Sequence, residues 1–273
     1  MPVQFVTLVD FSEYTEPLLR LVKLWSSTYN AEIHIVHQVA GSAPALADPE
    51  SKKKIIEFET REATDQLYDL IRKMELPRHK TRFTITSQNL IRFLEEQLAT
   101  SERQIVFTGL KGTGLLKQLF IGSTTVQLID ALHHIIVTVP SHAHECVPEK
   151  LIIAIHEKFP INTTAFDFLL DVVHPSLQKL EFITVAEEAP AHAAEPDFLT
   201  ETEQLYSNRF ATARKNFSGK EAFDTIKAYL KNQSNSFLVV QEGSRTLRDQ
   251  LFRKFLINEL VYDGSIPMII IPK

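Results

Sequence analysis

The stretch TGLKGTGLLKQLFIGST, Thr108 to Thr124, holds four of the eight glycines in a chain of 273 residues. Glycine is needed where φ must be positive or where a backbone must come close to something, and elsewhere it costs conformational entropy. Gly109 closes the apolar run RQIVFTG, Gly112 follows three residues on, and Gly122, Ser123, Thr124 and Thr125 have the small side chains and hydroxyls of a helix start. Glycines at the carboxyl end of a parallel strand let backbone N–H groups reach an anion with no Cβ in the way, and a helix N-terminus completes the cradle. The chemistry is phosphate binding. Lys111, inside the loop, adds a point charge to it.

Such a loop works only if strands and helices present it. VQFVTLVDFSE, Val3 to Glu13, is an apolar run ended by an acidic, hydroxyl-bearing turn, as expected of a buried parallel strand. TEPLLRLVKLWSSTY places Leu18, Leu21, Val22 and Trp25 on one helical face, and the strand IHIVHQV follows, completing a βαβ unit. A long amphipathic stretch from Lys52 to Met74, the strand KTRFTIT, a helix around Asn89 to Leu98, the strand RQIVFTG, a helix from Ser123 to Leu132 and the strand HHIIVTVP continue the alternation. This is the pattern of an open, doubly wound α/β sheet with helices on both faces.

The rest of the chain repeats the plan. EKLIIAIHEKF resembles the opening strand, LEFITVAEEA the second, NSFLVVQEG the strand before the glycine loop, and SIPMIIIP the last. Two tandem α/β domains are expected, at residues 1–147 and 148–273, each built on an open parallel sheet. Setting Pro140 on Pro272 brings Gly109 onto Gln241 and Asp10 onto His156. The last strand of each half is apolar on both faces and would lie at an exposed edge, so the two are expected to cover each other, with a homodimer of whole chains as a further option.

The spacing Gly109-x2-Gly112-x9-Gly122-Ser123 is not a Walker loop and has the wrong order for a dinucleotide fingerprint. It resembles the ATP-binding signature of the universal stress protein family, and the resemblance extends to VDFSE after the first strand and to His37 near the end of the second. What the resemblance implies is a five-stranded parallel sheet that holds ATP, with or without magnesium. By position, Asp10 would meet adenine or ribose, and Gln38 and Thr108 would line the base pocket. Gly109, Lys111 and Gly112 would follow the ribose and phosphates, and Gly122, Ser123, Thr124 and Thr125 would hold the phosphates. Gln38 departs from the apolar residue the family tends to carry there.

In the second half the signature is gone: Gln241, Ser244, Lys254, Phe255 and His156 stand where Gly109, Gly112, Gly122, Ser123 and Asp10 stand in the first. One ATP per chain is the expectation, bound in the N-terminal half, with the second half a dimer-like partner. The rival is a second site in which Arg253 and Lys254 hold phosphate by charge.

Composition narrows the classes. With 44% hydrophobic and 23% charged residues the chain reads as an ordinary soluble protein, and its longest apolar runs are too short to span a bilayer. A net charge of −5 argues against nucleic acid as the main partner, and the opening MPVQFVTLVD has no signal-peptide pattern, which points to the cytoplasm. The single cysteine excludes an internal disulfide; His142, His144 and Cys146 lack a fourth metal ligand, and His37 reads as a hydrogen-bonded core histidine. No paired carboxylates or nucleophile–base set stand out. A nucleotide-binding regulatory protein is therefore favoured over an ATP-hydrolysing or adenylating enzyme and over an interaction module without nucleotide.

Overall fold

A computed structural model describes residues 2–39, 48–99, 103–110, 127–129, 131–155, 160–186, 197–218, 222–241 and 266–273. The apolar runs form strands β1 (Gln4–Leu8), β2 (Glu32–Gln38), β3 (Thr81–Thr86), β4 (Gln104–Leu110) and β5 (Ile135–Pro140), then β6 (Lys150–Ala154), β7 (Lys179–Ala186), β8 (Ala211–Ser218), β9 (Ser236–Gln241) and β10 (Met268–Ile271). Between them lie α1 (Thr15–Tyr29), α2 (Pro49–Lys73), α3 (Leu90–Leu98), α4 (Thr163–Val173), α5 (Asp197–Tyr206) and α6 (Ala222–Lys231).

The helices start and stop for local reasons. Asp48 caps α2 by accepting from the N–H groups of Glu50 and Ser51, with Pro49 in the first turn where its missing N–H costs nothing. Asn89 and Asn162 cap α3 and α4 in the same way. α1 ends at Asn30, which takes a left-handed conformation and returns its N–H to the carbonyl of Ser26.

The strands form one sheet in the order β3-β2-β1-β4-β5-β10-β9-β6-β7-β8. All neighbours are parallel except β5 and β10, which run antiparallel. From the seam outwards the order is the same on both sides, so the two expected five-stranded sheets are the halves of a single ten-stranded one. Registers repeat as well: Gly109 pairs with Val139 as Gln241 pairs with Ile271, one residue before Pro140 and Pro272 respectively. The polypeptide joining the halves passes through Val147 and Pro148.

Two layers of side chains cover the sheet. On one face, α1, α2, α4 and α5 supply residues such as Leu18, Leu67, Phe166 and Tyr206 to a core that runs through both halves. On the other, Leu94 and Leu98 of α3, Leu128 and Leu132, and Leu230 of α6 pack on Val6, Val106 and Ile152. Trp25 of α1 lies over the seam, its ring 5.3 Å from both Phe107 and Phe237 and its indole N–H donating to the Cys146 carbonyl at 3.1 Å. Aromatic contacts across the seam add to the β5–β10 ladder in joining the halves. Among the described residues no helix is long and apolar enough to cross a membrane.

Candidate functional site

The strand order reverses direction at β1 and β4, the switch point outside whose carboxyl ends open α/β sheets form a crevice. Asp10 follows β1 there, Gln38 ends β2 on one side, and Thr108 and Gly109 lie near the end of β4 on the other. Of the expected site residues these four are thus brought to adjacent strand ends. Lys111, Gly112, Gly122, Ser123, Thr124 and Thr125 lie outside the described residues, as do His156, Ser244, Arg253, Lys254 and Phe255.

Asp10 is exposed and organises the turn into α1. Its Oδ1 accepts from the Ser12 N–H at 3.0 Å, the Ser12 hydroxyl at 2.5 Å and the Thr15 hydroxyl at 3.4 Å. The cap position of α1 belongs to Tyr14, which makes no side-chain cap bond, so Asp10 is not a plain helix cap. A carboxylate here suits the hydroxyls of ribose or the exocyclic amine of adenine, which donate, and would repel phosphate.

Gly109 has a packing reason for being glycine. A Cβ added there would come within 2.9 Å of the Tyr14 Cβ, closer than real side chains approach. The bare backbone of β4 is what lets the start of α1 settle on it. Thr108, buried on the opposite side of the strand, directs its hydroxyl at the Gly109 carbonyl at 3.4 Å. Gln38 is exposed, and its amide donates to the Gln88 carbonyl at 2.8 Å, tying the end of β2 to the loop after β3.

His37 is satisfied by structure. Its Nδ1 donates to the Val9 carbonyl at 2.7 Å, while the Val9 N–H donates to the Val36 carbonyl at 3.0 Å. Phe11, which the sequence did not mark as a site residue, packs its ring 4.5 Å from the imidazole. Its backbone is left-handed, with φ of 55°. Only its place inside DFSE hints at this, because a phenylalanine carries no composition signal for positive φ.

The same place in the second half is built differently. Asn162 caps α4 where Tyr14 begins α1, and Gln241 replaces Gly109. The Gln241 side chain accepts from the Asn162 N–H at 2.9 Å and donates to the Pro272 carbonyl at 3.1 Å, while the Asn162 amide donates to the Lys273 carbonyl at 2.9 Å. A large residue facing a bare strand has become a small residue bonded to a large one. Side chains fill the space beside the strand end.

Among the described residues no three His, Cys, Asp or Glu side chains converge as a metal site, His142, His144 and Cys146 included. Burial pushes the Cys146 thiol up to about 11, so it stays protonated at neutral pH.

The sequence matches no protein-family model and no curated protein. In three dimensions the chain is similar to a universal stress protein from Archaeoglobus fulgidus, with a TM-score of 0.70 over 99% of this chain and 96% of the other at 11% identity. It is similar also to a universal stress protein assigned in Pseudomonas aeruginosa, with a TM-score of 0.57 at 10% identity over 99% of this chain and 93% of that one. A functionally unknown protein from Pseudomonas aeruginosa matches to the same degree. The described residues of both halves have the fold of these universal stress proteins.

Proposed function

We propose that this protein is a stress-response regulator that binds ATP in its N-terminal half, and that its C-terminal half serves as a dimer-like partner without nucleotide. The observation that carries the reading is the meeting of Asp10, Gln38, Thr108 and Gly109 at the switch point between β1 and β4, on the strand that leads into the glycine loop. A carboxylate at the base end and backbone N–H groups with hydroxyls at the phosphate end match the polarity of an adenine nucleotide. The Gln241–Asn162 arrangement supports a single site per chain, because the second half has a large side chain tied to Asn162 and Pro272 at the strand end where the first half has glycine. Magnesium would enter with the triphosphate, bound by its oxygens.

In this reading ATP acts by occupancy. α1 gives occupancy a route to the other half, since the turn held by Asp10 leads into it and it carries Trp25 onto Phe237 and the Tyr29 hydroxyl onto Ser176 at 2.5 Å. The reading is tested by denaturing the purified protein and identifying the released small molecule by mass spectrometry, alongside incubation with ATP. An adenine nucleotide released without sustained turnover supports it; steady ADP or AMP production by the protein alone would replace it with an enzyme.

A further inference from the structure

Four non-glycine residues among those described have positive φ: Phe11, Asn30, Glu75 and Asn235. Asn30 closes α1, Glu75 follows the end of α2, and Asn235 sits just before β9, so three of the four end or begin an element. Asparagine tolerates this region and helix ends demand it. Phe11 does neither. A bulky aromatic residue held left-handed is strained, and such strain persists only where the surroundings fix it.

They fix it from two sides. The hydrogen bonds to Asp10 Oδ1 close the turn over Phe11, and the paired bonds of Val9 to Val36 and His37 anchor its base. The ring is half-buried against the core and tilted 49° to the His37 imidazole. Glycine would adopt this backbone without strain, so the ring itself is what the chain retains at that cost. It stands at the carboxyl edge of β1 and β2, beside Asp10 and Gln38.

We infer that Phe11, braced by His37, is the residue that selects an aromatic base at this crevice, by giving a purine ring a surface to stack on. The inference rests on the nucleotide reading above and names its specificity-determining side chain. Stacking of a base on an aromatic side chain is sequence-tolerant and is lost with the ring.

The test is calorimetric titration of the full chain with ATP. Phe11→Gly keeps the left-handed backbone and removes the ring; Phe11→Leu keeps bulk without aromaticity; Phe11→Tyr keeps both. The first two should weaken ATP binding about tenfold or more, and Phe11→Tyr should bind as the unaltered chain does. Unchanged affinity in the glycine or leucine variants, or equal loss in leucine and tyrosine, would overturn the inference and leave the nucleotide site standing. A lack of ATP binding by the unaltered chain would instead remove the nucleotide reading itself.

Discussion

Val137 and Ile269 face each other across the antiparallel seam between β5 and β10. Each lies two residues before the position that pairs with Gly109 or Gln241, so they occupy the same place in their respective halves, and the pseudo-twofold axis of the sheet passes between them. Both are fully buried. Exchanging them, Val137→Ile with Ile269→Val, conserves volume and should change stability by less than about 1.5 kcal/mol. Val137→Asp buries an unpaired charge and should cost about 3 kcal/mol or more. Denaturant unfolding followed by Trp25 fluorescence measures both, because the chain's one tryptophan sits over this seam.

Gly109 and Tyr14 should be coupled. Gly109→Ala drives a methyl into the Tyr14 Cβ and should destabilise by about 1–3 kcal/mol. Gly109→Ala with Tyr14→Gly, which removes the Cβ that the methyl strikes, should lose less stability than the sum of the two single changes. Thermal melts of the single and double variants check this; additive stability changes would mean that the two positions do not bear on each other.

His34 and Glu181 are also equivalent, paired with Val6 and Ile152 on the same face. Burial, with the Arg82 charge adding to it, holds the His34 pKa down at about 4 from an ordinary 6.5. The folded protein therefore refuses a proton that the unfolded chain accepts, and stability falls as pH drops from about 6.5 to 4, by up to about 3 kcal/mol. Burial alone would raise the Glu181 pKa, but hydrogen bonds from Lys150 and Tyr229 and the Lys150 charge outweigh it and hold the carboxyl low. Its contribution is lost at lower pH, as the carboxyl takes up its proton. His34→Gln should flatten the upper part of this profile in denaturant melts at stepped pH; an unchanged slope between pH 6.5 and 4 would assign the titration elsewhere.

Much of the fold was legible because buried parallel strands are short apolar runs and amphipathic helices carry a 3.6-residue period. The middle of the second half was not. β8, ATARKNFS, is an edge strand whose sequence is mostly polar, so it lacks the signal that marked β6 or β9. At the crevice, the places of Asp10 and Gly109 at strand ends were legible from the apolar runs before them. The Tyr14 contact that requires Gly109 to be bare was not, because it depends on how a helix start settles on a strand far away in sequence. Gln241 was visible as a lost glycine, but its bonds to Asn162 and Pro272 needed the fold to bring three distant segments together.

The central claim is one nucleotide site per chain, in the N-terminal half. Calorimetric titration of the full chain with ATP, repeated on Gly122→Val, tests it most directly. The account predicts a stoichiometry of one for the unaltered chain and a loss of binding with the fold intact in the variant. Two equivalent sites, or binding undiminished in Gly122→Val, would contradict it.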